Sequence, residues 1–346
     1  MKRGSRFCKP GIYVLMMLMA VVFTASSALA QDVSCKTKYP IMMAHMAGIG
    51  GGTGIVELVM PVPFKGPFGV GGIGGALEAC GAQVYYAKLP SLQTNEVKAT
   101  EFKRQFLEAK AASGARKLNI IGHQQGGLYT RTAITNKGLW SSVASLTTVN
   151  TPHHGSAMLT LLSAFAAVGE QIPAVGETLN KIKVFPGDQA YAKVTYDEMS
   201  IPHMIAFNLK TPNIPFVYYQ SWTSAYREYN LRETISNVWD LLGKMISNGE
   251  FATEPLDIAK QSYELMPDIA TITNLIFGKN DGLVTEDSAK WGKYLGLELG
   301  PAYGRGVNHM DVIGLDSILN AEHGGAVWDA NAKWVSTVVA LKAKGY

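Results

Sequence analysis

Residues Leu118–Leu128 read L-N-I-I-G-H-Q-Q-G-G-L: a short apolar run, Gly122, three intervening positions, Gly126 and Gly127, then a helical stretch. The pattern predicts a buried strand turning sharply into a helix, with glycines where the backbone must close on itself. A turn of this kind lifts its central residue above the end of a sheet, and here that residue is Gln124. A serine so placed can be activated by a neighbouring histidine. A carboxamide cannot be turned into an oxygen nucleophile.

Apolar, β-rich runs recur along the chain and alternate with helical patterns. Tyr39–His45, Gln83–Ala87, Lys117–Ile121, Val143–Asn150, Phe216–Tyr219 and Thr271–Phe277 read as strands. Their nearly continuous apolar character suits a parallel sheet buried on both faces. Between them, Asn95–Ala112 places Phe102, Phe106 and Ala109 at helical spacing, and Gly114 stops the helix. Asn331–Lys344 reads as a C-terminal amphipathic helix. Strands alternating with helices predict a doubly wound α/β fold.

The first thirty residues read as a secretory signal. Lys2, Arg3, Arg6 and Lys9 precede an apolar stretch from Ile12 to Phe23, and Ala28-Leu29-Ala30 forms a cleavage site before Gln31. The stretch is too short and wrongly flanked for a stable membrane span, the alternative being a retained N-terminal anchor. This segment holds four of the 31 Lys and Arg residues and none of the 27 Asp and Glu, leaving 27 of each. A balanced remainder argues against nucleic acid or an anionic membrane patch as partner. Cys8 leaves with the signal, so Cys35 and Cys80 are expected to pair in an oxidising compartment. They flank the first strand and the start of the second, and so could meet near one end of the sheet.

Three segments stand apart. Gly69, Gly71 and Gly74 satisfy G-x-G-x-x-G. Pro61, Pro63 and Pro67 before them argue against the central strand a dinucleotide site requires, so these read as loop glycines. Ala157–Leu179 is apolar around most of its circumference, as an ordinary buried helix or a lid over an apolar site. Glu228–Asp268 reads as a mostly helical insertion before the last strand.

Asp281, in G-K-N-D-G-L-V, follows the run Thr271–Phe277, and His309 lies in N-H-M-D-V-I before the final helices. An acid at a strand end and a histidine on a later loop can form a pair in which the carboxylate holds the imidazole tautomer. Ser156, after T-P-H-H-G, lies in a different loop and reads as the cap of the following helix.

With these residues in view the chain resembles the bacterial secreted triacylglycerol lipases of the Pseudomonas and Burkholderia type. The resemblance runs through Y-P-I-M-M-A-H, G-A-Q-V-Y, L-N-I-I-G-H-x-Q-G-G, V-N-T-P-H-H-G-S, Y-Y-Q-S-W, N-D-G-L-V and N-H-M-D-V-I. It implies an α/β-hydrolase fold: a mostly parallel central sheet, helices on both faces and a helical lid around residues 157–180, all in one domain over 31–346. Asp281 is implied as triad acid and His309 as triad base. The backbone N–H groups of Ala47 and Gln125 are implied as the oxyanion hole. Lipid esters or acyl chains met at a lipid–water interface are implied as substrate, a lipase-specific foldase as partner, and no organic cofactor.

The chain also departs from that pattern. Gln124 occupies the serine position of G-x-S-x-G. Met46 stands where the family has glycine beside the oxyanion loop. Of the family's calcium ligands, one falls on Asp311 and another on Leu315, with Asp240 a loose candidate for a further carboxylate. Cys35 and Cys80 do not match the family's usual disulfide positions. Two functions of different classes remain open: a secreted carboxyl-ester hydrolase working through Asp281–His309, and a non-catalytic lipase-like protein that binds lipid or a protein partner. Gln124 and Met46 discriminate between them.

Overall fold

Six parallel strands in the order β2-β1-β3-β4-β5-β6 form the sheet. The computed structural model describes residues 34–45, 72–171, 191–227, 229–237, 255–302, 305–314 and 328–346, excepting the side chains of 165, 166, 168–171, 255–263 and 265. Two units divide the chain, Met1–Ser34 and Cys35–Tyr346, and the sheet belongs to the second. In chain order its elements are β1 (Ile41–Ala44), α1 (Gly72–Ala79), β2 (Val84–Tyr86), α2 (Asn95–Ser113), β3 (Leu118–His123), α3 (Gln125–Thr135) and β4 (Val143–Val149). Then come α4 (Ala157–Gln171), α5 (Ala192–Asp197), α6 (Ile201–Lys210), β5 (Tyr218–Ser224), α7 (Pro255–Phe277), α8 (Glu286–Ala289), β6 (Lys293–Glu298) and α9 (Ala330–Ala343).

Strand pleating sorts the core into two layers. On β1, Ile41 and Met43 face one side and meet Leu77 of α1 and Trp334 and Val338 of α9. Met42 and Ala44 face the other, among Phe102 and Phe106 of α2 and Tyr129 and Ile134 of α3. Alternate residues of one strand thus serve opposite layers, and both faces are covered, as a parallel sheet requires. The α2 helix runs as its spacing predicts: Thr94 accepts the Val97 N–H at its start, and Gly114, in the left-handed region at φ 66°, ends it.

The structure corrects four readings. Thr271–Phe277 is not a strand but the last turns of α7. A short apolar run cannot distinguish the two by periodicity. Met266 and Ala270 are buried one turn apart, while Leu275 and Ile276 face outward, which is helical segregation. The final strand is instead β6, whose K-Y-L-G-L-E sequence mixes charge with half-buried positions at the sheet edge. The strand expected at Phe216–Tyr219 begins at Tyr218 and runs on to Ser224. Its polar residues are buried because they bond across the sheet, Gln220 Nε2 donating to Thr147 Oγ1 at 2.9 Å. Gly74 lies in α1 rather than a loop, and a Cβ there would strike the Tyr86 ring. The export segment, Gly69 and Gly71, residues 172–180 of the lid and 238–254 of the insertion lie outside the described residues. Among those described, no helix is long and apolar enough to cross a membrane.

Cys35 and Cys80 are disulfide-bonded, with Cα atoms 5.1 Å apart, and the Cys35 N–H also donates to the Cys80 carbonyl at 2.7 Å. The bond ties the entry to β1 to the end of α1 across 45 residues. Loop-closure entropy for that span gives an upper figure of about 4 kcal/mol. Cys35→Ser with Cys80→Ser is therefore expected to lower the unfolding free energy by about 2–4 kcal/mol, read from urea denaturation. An unchanged midpoint would mean that the bond does not constrain the unfolded chain.

Candidate active site

The strand–turn–helix at Gln124 is as sharp as its glycines foretell. Gln124 has φ 52° and ψ −122°, in the left-handed half of conformational space although it carries a side chain. Holding a non-glycine residue so costs on the order of 1–3 kcal/mol, and such strain gathers where a side chain must be displayed. Here β3 and α3 close around the residue. A Cβ on Gly126 would collide with the Ala44 carbonyl oxygen of β1, and one on Gly122 would sit 2.8 Å from the Gly126 backbone. The Gln124 N–H is anchored on the Val149 carbonyl at 3.0 Å.

The displayed side chain folds back on its own turn. Gln124 Oε1 accepts the backbone N–H of Gln125 at 2.6 Å, and Nε2 lies 3.0 Å from Met199 Sδ. Gln124 is fully buried. The Gln125 N–H, one of the two donors expected to hold an oxyanion, thus already holds a carbonyl oxygen of this chain. Ala47 and Met46 lie outside the described residues.

Asp281 and His309 come together as their order in the chain suggests, with His309 Nδ1 2.7 Å from Asp281 Oδ2. The other carboxylate oxygen accepts the N–H groups of Leu283 and Val284 at 2.9 and 2.7 Å, and the His309 N–H donates to the Asp281 carbonyl at 2.9 Å. The aspartate is therefore fixed by its own turn. Because Thr271–Phe277 is helical, that turn follows α7 rather than a strand. The far ring nitrogen of His309, Nε2, is buried and has no hydrogen-bond partner among the described residues.

Three neighbours went unforeseen. His123, at the end of β3, packs its ring 4.8 Å from that of His309. Burial first, and the nearby His309 second, hold His123 well below the ordinary imidazole range, so it is neutral. On the other side, fully buried Lys98 of α2 donates to Gln125 Oε1 at 2.7 Å and to the Ser91 carbonyl at 2.9 Å. Burial brings Lys98 down to about 7 and Glu198 up to about 7. Glu198 accepts the Asn95 N–H at 2.5 Å, next to Met199. Only the lone lysine at a buried helical position, three residues after Asn95, could have signalled this network.

Ser156 is committed elsewhere: its Oγ donates to the Leu283 carbonyl at 2.6 Å and accepts the Leu159 N–H at 3.2 Å, capping α4. Asp311 is buried and turned to Arg305 and the Asn308 N–H. Leu315 and Asp240 lie outside the described residues.

No family model matches the chain. Curated relatives do. Triacylglycerol lipase 2 of Saccharomyces cerevisiae is 27% identical over 249 residues, covering 70% of this chain and 61% of that protein. Triacylglycerol lipase of Burkholderia plantarii is 34% identical over 135 residues, covering 38% and 34%. The Vibrio cholerae triacylglycerol lipase is 26% identical over 295 residues, covering 79% and 80%. The matched region thus spans less than two thirds of the yeast and Burkholderia proteins. Among solved structures, the Staphylococcus hyicus lipase superposes with a TM-score of 0.53 at 15% identity, covering 89% of this chain and 96% of that one. A metagenomic carboxyl esterase gives 0.52 at 15%, covering 89% and 76%. By sequence the chain is similar to proteins named triacylglycerol lipase, and its fold is that of α/β-hydrolase lipases and esterases.

Proposed function

We propose that this chain is a lipase-like protein that binds ester or acyl lipid without forming an acyl-enzyme. One contact carries the reading: the Gln124 carboxamide oxygen on the Gln125 N–H at 2.6 Å. Acyl transfer in this fold needs a hydroxyl at that turn, a histidine to take its proton, and N–H groups to hold the tetrahedral oxyanion. Asp281–His309 could supply the base. Gln124 removes the hydroxyl and fills one oxyanion donor. Serine proteases stripped of a triad member keep roughly 10³–10⁴ over the water reaction, against about 10⁶–10¹⁷ for intact enzymes, so this chain should look almost inert.

A second reading draws on His309 Nε2, unpartnered among the described residues: a water activated there attacks the ester directly, giving slow hydrolysis without a covalent intermediate. On either reading the chain is exported, cleaved near Ala30–Gln31, and acts at a lipid–water interface. The helix α4, with Leu161 half-exposed, belongs to its lid, and a foldase serves as partner. The purified protein should float with emulsified triacylglycerol while hydrolysing short- and long-chain esters at background. Slow turnover abolished by His309→Ala would favour the activated water. Fast turnover that survives His309→Ala would place the active site elsewhere and end both readings.

A further inference from the structure

The loop that carries His309 is bound to one carboxylate, Asp311, which is buried. Its Oδ2 accepts the Asn308 N–H at 2.8 Å, and its Oδ1 faces Arg305 Nη2 at 3.0 Å. Asn308 completes the knot, its Oδ1 accepting the N–H groups of Met310 and Asp311, each at 2.8 Å. The resemblance to secreted lipases implies a calcium ion at Asp311, and the residues here do not suit one. Calcium takes six to eight oxygen ligands, yet both Asp311 oxygens are engaged, one by a guanidinium that a divalent cation would repel. Among the described residues no group of three or more His, Cys, Asp or Glu could hold a metal.

We propose that the Arg305 guanidinium serves as the built-in cation of the His309 loop, in place of a bound metal. A buried carboxylate needs a compensating charge, and Arg305 supplies it from four residues before His309. Its own backbone is fixed at the same place, the Arg305 carbonyl accepting the Arg227 N–H at 2.9 Å beside the Tyr226–Gly306 bridge. The guanidinium also lies 5.7 Å from the centre of the Tyr226 ring. A covalently tethered cation is never lost to dilution, so the loop would hold its shape whatever the calcium outside the cell.

Thermal unfolding of the purified full chain tests this without recourse to activity. The wild-type midpoint should be the same in EDTA and in millimolar calcium chloride. Arg305→Gln should lower it by roughly 5 °C, Arg305→Lys by less, because Arg305→Gln takes the guanidinium away from the buried Asp311 carboxylate. Adding Asp311→Asn to Arg305→Gln should recover most of the loss, since the amide oxygen can still accept the Asn308 N–H. A wild-type midpoint that rises with calcium and falls in EDTA would overturn the proposal, as would an Arg305→Gln midpoint equal to wild type. If Arg305→Gln does not fold, the wild-type calcium comparison and the Arg305→Gln/Asp311→Asn pair still decide.

Discussion

Gln124→Ser is expected to raise ester hydrolysis by at least about 10³-fold, and by as much as about 10⁶-fold if the rest of the machinery is sound. The turn is already strained to display a side chain at φ 52°, and serine is small enough to sit there without reaching the Gln125 N–H. The substitution does three things at once. It removes the carboxamide oxygen from that N–H, which then faces a substrate carbonyl. It vacates the space between the turn and Met199. On the triad arrangement that the resemblance implies, it also offers His309 Nε2, unpartnered among the described residues, a hydroxyl to deprotonate. Initial rates on a short-chain chromogenic ester, with folding checked by the unfolding midpoint, measure the effect. A folded Gln124→Ser protein that stays inert would mean that the site has decayed beyond this residue, with Met46 the first suspect.

In the Gln124→Ser background, Asp281→Asn should cost about 10⁴-fold in kcat. The carboxylate accepts a hydrogen bond from the His309 Nδ1–H and so fixes which ring nitrogen is free to act as base. An amide in its place can turn its NH2 toward His309 and favour the wrong tautomer. Its oxygen can still accept the Leu283 and Val284 N–H groups, so the turn and the unfolding midpoint should survive. A loss under tenfold would show that His309 acts without Asp281.

What could be read from the amino-acid order follows from which residues are constrained by backbone geometry. The turn at Gln124 was legible because Gly122 and Gly126 leave no room for a Cβ against each other or Ala44. β1, β3 and β4, buried along their whole lengths, were legible as short, largely apolar or β-branched runs, with Asn119, Ser145, Thr147 and Thr148 among them. The meeting of Asp281 with His309 was legible from order and loop context, even though the expected strand before Asp281 is a helix. That error has a physical origin. Thr271–Phe277 holds β-branched and apolar residues at a density either structure accepts, and tertiary packing of Met266 and Ala270 selects the helix. β6 stayed hidden because an edge strand needs no continuous apolar face. The fold-back of Gln124, the tilted His123–His309 ring contact and the Arg305–Asp311 pair are side-chain meetings between residues whose types alone do not announce a partner.

Active-site titration with a fluorophosphonate tests most directly the claim that Gln124 both withholds the nucleophile and occupies the oxyanion donor. Such a reagent bonds covalently to an activated serine and mimics the tetrahedral state in doing so. Intact-mass measurement should find no adduct on the wild-type chain and one adduct per chain on Gln124→Ser, located at position 124 and abolished by His309→Ala. Stoichiometric labelling of the wild-type chain at any serine, lost on His309→Ala, would contradict the account, because a nucleophile would then be at work beside His309 with Gln124 in place.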